Sequence, residues 1–511
     1  MTLQMKYYYH LTILLASFLF CISSEIFAAP PDSLTYQSID QYIQKQMKTY
    51  KIPGAAIGIV EDDSAVYLKG YGIADNSDRK VSPKTPFLLG SVTKSFTALG
   101  IMQLVEEGKI DLDTPVQKYL PWFRIADVKA SSQITVRQLL NQTSGFSTLD
   151  GRKKYTDHDM KEDALENYIR SLKGTELIAP PGQKFEYSNI NYGILGLIIQ
   201  KISGMSYESY IQKKIFEPLN MQHSYTSLAD AKAGAVSRGY YPFFDIPATF
   251  DKPLSRAITP WGGLCSSTED MTHYIIANLN KGNYLNREIL SEQGMVDAHS
   301  PGPIISDNFY KSSYGMGWGI YPQYKPNKET YTAISHDGAG PFYHSFVLLV
   351  PEKKFGMVLL INLDDPLTES IFSYLGWIIA EIYFGKPPSY PQPAENFIVQ
   401  HARVIYAGLV ILLIIGFFWS LRSLRLHRLS VRKNKHTLKP ILLYLIIPLI
   451  IDILLSIYIL AVLLPQNDFT LHLALVFTPD VGIMLIVILL LTIVWGAIRT
   501  FLMLKTLYRK S

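Results

Sequence analysis

Ser91-Val92-Thr93-Lys94-Ser95-Phe96-Thr97-Ala98-Leu99-Gly100-Ile101-Met102 is the stretch on which the reading of this chain turns. Val92, Phe96, Leu99 and Met102 recur at spacings of four, three and three, which places them on one face of a helix. Ser91 then opens a buried helix, and Lys94, one turn on, lies on the same side, close enough to share a hydrogen bond. Burial disfavours the ammonium and lowers the lysine pKa, so a neutral amine can take the serine proton. The positive end of the helix dipole favours the oxyanion that forms after attack. The pattern is short, and ordinary serine and lysine frequencies give roughly two such matches in a chain of this length. Two others do occur, Ser77-Asp78-Arg79-Lys80 and Ser430-Val431-Arg432-Lys433. Neither leads into an amphipathic helix, so both read as solvated; at Ser91 the competing reading is an ordinary helix cap.

Two further groups fit the same chemistry. Tyr187-Ser188-Asn189 precedes the apolar residues 194–202. A phenol near a lysine ammonium has a lowered pKa, so Tyr187 can act as general base or acid, while the Asn189 amide can hold Lys94 and a substrate carbonyl. His336-Asp337-Gly338-Ala339-Gly340 stands just before an apolar strand at 344–350. Glycine there lets two backbones approach closely, so that a strand-edge amide can join the Ser91 amide in an oxyanion hole, with His336 as a donor to substrate. Packing tyrosine, turn glycine and surface histidine are the plainer alternatives.

Outward from these motifs, residues 39, 43 and 47 suggest an opening helix, 55–60 and 65–74 a hairpin, 344–350 and 355–363 a second hairpin, and 371–382 a closing helix. Strands from both ends with helices between them indicate an α+β domain. The chain has 511 residues and a mean hydropathy slightly above zero, so part of it belongs in lipid. Residues 1–29, with Lys6, an apolar stretch at 11–22 and Ala28-Ala29 before Pro30, read as a signal peptide. The domain spans 30–385, a proline-rich linker 386–401, and a tail 402–511 with three apolar runs, about 404–421, 441–464 and 481–504, read as transmembrane helices. Basic residues crowd 422–439, whereas 465–480 has no lysine or arginine, which puts the first loop and the C-terminus in the cytoplasm and the large domain outside. That makes a multi-pass protein of the cytoplasmic membrane. The net charge of +5 is concentrated in that loop, so nucleic-acid binding has no support. Of two cysteines, Cys21 lies in the leader and Cys265 remains alone, which excludes an internal disulfide. Asp452 at bilayer depth costs about 2.5 kcal/mol or more and calls for a partner, a water path or a proton. The tail reads as an inert anchor before a transporter dock or a collector of amphiphilic substrate.

The order Ser91-x-x-Lys94, Tyr187-x-Asn189, His336-x-Gly338, together with Pro53-Gly54-Ala55-Ala56, Thr143-Ser144-Gly145 and Pro260-Trp261-Gly262-Gly263-Leu264, resembles the serine β-lactamase and penicillin-binding-protein family, and class C β-lactamases in particular, over most of 34–385. The resemblance implies a mainly antiparallel sheet flanked by helices plus an all-helical subdomain, with Ser91, Lys94 and Tyr187 catalytic and Ala339 giving the second oxyanion amide. Penicillin-recognising members usually carry Lys-Thr-Gly at the third motif; His336-Asp337-Gly338 here points to a small peptide-like amide or an ester before a β-lactam, and Asp337 further disfavours an anionic group beside it. The layout with three C-terminal helices is similar to membrane peptidases that remove an N-acyl-D-asparagine cap from peptide prodrugs. A penicillin-binding protein or β-lactamase, and a non-catalytic cell-wall sensor on the same fold, are the other readings. No Gly-x-Ser-x-Gly elbow, His-Glu-x-x-His site or phosphate loop occurs, so neither a metal nor a cofactor is implied.

Overall fold

The computed structural model describes residues 33–231, 236–249, 253–306, 312–366, 369–386, 402–431, 446–466 and 469–508. The expected leader at 1–29, nearly all of the linker at 386–401, and residues 432–445 lie outside the described residues.

Eight strands form one sheet: β1 (Gly54–Glu61), β2 (Ser64–Gly72), β3 (Ile304–Ser306), β4 (Ser312–Tyr314), β5 (Gly319–Tyr324), β6 (Tyr331–Gly340), β7 (Tyr343–Val350) and β8 (Phe355–Ile361). They pair in the order β2-β1-β8-β7-β6-β5-β4-β3, each neighbour antiparallel. The two expected hairpins are present, and β1 and β8, with Ile57 opposite Leu359, join the ends of the domain. Side chains alternate across β7, so Phe346, Leu348 and Val350 enter one core while Val347 and Leu349 enter another. A strand buried on both faces needs a layer on each.

The first layer is α1 (Ser33–Tyr50) with the closing helix Glu369–Tyr383; Ile39, Ile43, Phe372 and Ile379 pack with Phe346 and Leu348. Truncating a fully buried side chain such as Phe346 to alanine costs about 3–5 kcal/mol. The second layer contains Thr268–Leu279, which brings Met271 and Ile275 to the sheet, and α2 (Thr93–Glu106). The expected face of α2 is buried, and so is the rest of it from Thr93 to Met102. It is a central helix rather than an amphipathic surface one because α3 (Asn189–Ser203) and the turn Thr259–Gly263 pack against it as well.

The C-terminal region departs from expectation. Among the described residues one run, Pro479–Leu502, is long and apolar enough to cross a membrane, while Arg403–Trp419 and Leu449–Leu463 are apolar but shorter than 18 residues. Three full-length crossings are therefore not established. The first expected run gives way to charged residues from Arg422 onward, and residues 441–445 of the second are outside those described. Asp452 does meet a partner, accepting from Arg499 Nη2 at 2.6 Å, next to a Ser456–Thr492 hydroxyl contact at 2.9 Å.

Arg403 ties this region to the domain. Its Nε donates to Asp480 at 2.6 Å, Nη1 to Asp365 at 3.0 Å and Nη2 to the Tyr241 hydroxyl at 2.8 Å. Tyr241 Oη donates in turn to Asp480 at 2.5 Å, and the Phe244 amide does so at 2.9 Å. Both carboxylates are buried.

Candidate active site

Ser91 stands in a single 3-10 turn, Gly90–Val92, that runs straight into α2. Two close backbone approaches shape this turn. Gly90 has φ of +51°, a conformation that favours glycine, and a Cβ on it would come within 2.9 Å of the Ala339 carbonyl oxygen. On the facing strand β6, a Cβ on Gly338 would stand 2.0 Å from the Leu89 carbonyl oxygen and 2.2 Å from Ser345 Oγ. Ser345 Oγ also donates to that Leu89 carbonyl at 2.6 Å. The third motif thus presses its strand against the turn that carries Ser91. Gly338 serves the approach, and its neighbour Ala339 lines the cleft with Ser91.

Lys94 is fully buried, with Nζ 3.1 Å from Ser91 Oγ and 3.0 Å from the Trp261 carbonyl oxygen. Among the described residues it forms no ion pair. Burial without a counter-charge holds its amine well below the usual lysine value, so it is available as a base. The carbonyl is presented by the turn Thr259–Gly263, which is bolted to α2: Thr97 Oγ1 donates to the Pro260 carbonyl at 2.6 Å, and the Leu264 amide donates to Thr93 Oγ1 at 3.3 Å.

The second motif arrives from across the cleft. Lys94 Nζ lies 4.8 Å from the Tyr187 ring centroid, and Tyr187 shares the cleft wall with Ser91 and Asn189. Asn189 begins α3; its Oδ1 is buried and has no hydrogen-bond partner in the described structure, leaving an acceptor for a substrate amide. Gln142 Oε1 fixes this segment by accepting the Ser188 amide at 3.0 Å, while the Ser188 hydroxyl donates to the Ser147 carbonyl at 2.8 Å.

His336 lies in the same cleft, but its nitrogens are engaged inside the protein. Nδ1 is 2.5 Å from the Asp337 carbonyl oxygen and therefore carries the proton, while Nε2 lies 3.0 Å from the Tyr314 hydroxyl and accepts from it. The donor that sequence reading assigned to substrate is spent on the backbone. Burial, with Lys94 nearby, holds His336 down to about 3, so the ring is neutral; burial likewise drives the Tyr314 phenol well above its usual value and keeps it protonated. The structure thus brings all seven candidates, Ser91, Lys94, Tyr187, Asn189, His336, Gly338 and Ala339, to one place. Sequence reasoning missed Tyr314 and Gln142, which no motif marks, and the Trp261 carbonyl, although its turn carried part of the resemblance. Among the described residues no cluster of histidine, cysteine or carboxylate side chains could hold a metal.

Known proteins resemble this chain over most of the domain that holds the cleft. Residues 39–373 match the Beta-lactamase family profile. Protein flp of Staphylococcus aureus (strain MRSA252) is 30% identical over 406 residues, covering 78% of each chain. In strain N315 the match is 32% over 341 residues, covering 66% of this chain and 65% of that protein, a little under two thirds of its length. Penicillin-binding protein 4 of Amycolatopsis lactamdurans is 26% identical over 368 residues, 68% of this chain and 91% of that one. Among solved structures, the octameric penicillin-binding protein homologue from Pyrococcus abyssi superposes with a TM-score of 0.60 at 31% identity, over 69% of this chain and 78% of that one. With a serine and a buried lysine at the head of a central helix behind a strand-edge glycine, the chain belongs to the β-lactamase family of penicillin-binding-protein-like serine hydrolases.

Proposed function

We propose that this chain is a membrane-anchored, extracytoplasmic hydrolase that cleaves amide or ester bonds through an acyl-enzyme on Ser91. The observation that carries the reading is the fully buried Lys94, 3.1 Å from Ser91 Oγ. Its neutral amine takes the hydroxyl proton as Oγ bonds to the substrate carbonyl carbon. The amides of Ser91 and Ala339 face the oxyanion, a preorganised contribution of several kcal/mol in such sites. Tyr187 hands a proton to the departing nitrogen or oxygen as its bond to carbon breaks, and Asn189 holds the substrate amide. The Tyr187 phenolate then takes a proton from the water that attacks the Ser91 ester, and the Lys94 ammonium returns its proton to Oγ as the acid leaves.

The third motif favours an uncharged substrate beside it. His336 is neutral, and Asp337 lines the same wall, so a carboxylate there meets no cation and one anion. For the anchor, the Pro479–Leu502 run and the two shorter apolar helices, with basic residues gathered at 422–439, support insertion with the domain outside.

The test is intact-mass spectrometry of the full chain after a fluorophosphonate, followed by turnover of N-acyl-D- and N-acyl-L-aminoacyl amides, esters and nitrocefin. Wild type should gain one adduct that Ser91→Ala lacks, and turn over an amide or ester. An unlabelled wild type would point to the sensor reading, and turnover of nitrocefin alone would overturn the substrate preference.

A further inference from the structure

We infer that the substrate of this site is an amphiphile, whose hydrocarbon tail is held between the Ser91 cleft and the C-terminal helices; the inference rests on the hydrolase reading above. The cleft that contains Ser91, Tyr187 and Asn189 has a volume of about 800 Å³ and does not end at the domain's own walls. Its far side is built by Leu463, Phe469, Phe477, Val481 and Leu485 of the C-terminal region. One cavity therefore has a polar end with Ser91 and a largely apolar end, with Arg152 on its rim. A short polar peptide would fill the first and leave water against the second.

That apolar wall is fixed to the domain. Val481 follows Asp480, which Arg403 and Tyr241 grip in the buried cluster described above. On the rim of the cleft, the Phe477 ring meets Tyr155 edge-on at 5.2 Å, and the Arg152 guanidinium lies over Phe469 at 5.5 Å. The wall belongs to the site as much as β6 does.

The helical runs that supply Leu463 and Val481 also expose Leu454 and Ile493, and the neighbouring helix Ala402–Val431 exposes Val404 and Ile411, each more than half accessible. In a bilayer such faces meet acyl chains, so helices that line the apolar end of the cleft also face lipid. Each methylene moved fully from water into such a site improves binding by about fourfold.

The test uses the full chain in nanodiscs and two substrate series below their micelle concentrations: p-nitrophenyl esters with acyl chains of two to ten carbons, and N-acetylglycine esters with alcohols of the same lengths. Rates are normalised to Ser91 labelled by fluorophosphonate, so unfolded protein is not counted. In at least one series kcat/KM should rise at least about tenfold from two to ten carbons. Ala474→Phe and Leu485→Asn, which fill and polarise the apolar end, should each cut that ratio fivefold or more, whereas Ile493→Trp, facing outward, should leave it unchanged. Labelled Ser91 with rates independent of length in both series, or a slope that survives both variants, overturns this inference alone. An enzyme with no labelled Ser91 overturns the hydrolase reading and this one with it.

Discussion

Lys94 and Arg403 are both basic side chains drawn out of water, one in the floor of the Ser91 cleft and one where the C-terminal helices meet the domain. Lys94 has a hydroxyl and a carbonyl for partners. Arg403 has two carboxylates and a phenol. The difference decides what each does. An amine buried with neutral acceptors sheds its proton and becomes a base. A guanidinium cannot be deprotonated in a protein, so it is buried only with anions and becomes a fastener. The same desolvation gives chemistry in one place and attachment in the other.

The sharpest way to break this contrast is to put a guanidinium where the amine stands. Lys94→Arg replaces a neutral amine with a permanent charge and removes the base, so it should lose as much activity as Lys94→Ala, on the order of 10²–10⁴-fold in the rate of Ser91 acylation. An active arginine variant would contradict the role given to the lysine. Breaking the fastener should show in stability instead: Asp480→Ala leaves Arg403 with Asp365 as its one carboxylate beside the Tyr241 hydroxyl, and should cost about 3 kcal/mol, read as a lower unfolding midpoint of the detergent-extracted chain. Gly338→Ala, which drives a methyl group into the Leu89 carbonyl, should cost about 1–3 kcal/mol and slow acylation, because the strand and the nucleophile turn must part. Asp113→Asn, which breaks the exposed Arg137–Asp113 pair, should change stability by less than about 1 kcal/mol. A large loss there would mean that solvent-exposed and buried ion pairs are not distinguished as argued.

What was legible in the sequence follows from how local each feature is. Ser91 and Lys94 are one helical turn apart, so their proximity could be read from spacing alone. The sheet was readable because β1, β7 and β8 are apolar runs bounded by polar turns, and their pairing across the domain follows once both ends are known to be strands. The Trp261 carbonyl was not readable in this way, since backbone groups carry no residue signature. Tyr314 is one of 33 tyrosines, and only the fold sets it against His336. The capture of both His336 nitrogens was equally invisible. Apolar residues such as Leu463 and Val481 sit in runs that read as lipid-facing; hydrophobicity reports that a face avoids water and does not say whether it meets lipid or a cleft. For the same reason the tail was read as an anchor and its wall of the site was missed.

Whether Lys94 is the base can be read from the pH dependence of Ser91 acylation. Lowered by burial, the Lys94 pKa means that between the folded value and the unfolded value near 10.5 the unfolded chain binds the extra proton, so the buried amine costs stability at neutral pH and that cost fades as pH rises towards 10.5. Lys94→Met should therefore be inactive yet no less stable than wild type at pH 7, with any advantage shrinking as pH rises towards 10.5. The fluorophosphonate labelling rate of wild type, followed from pH 5 to 11, should rise through one ionisation well below 10.5 and then level off, and Lys94→Met should lose that limb. A limb centred near 10.5, or the same limb in Lys94→Met, would contradict Lys94 as the base.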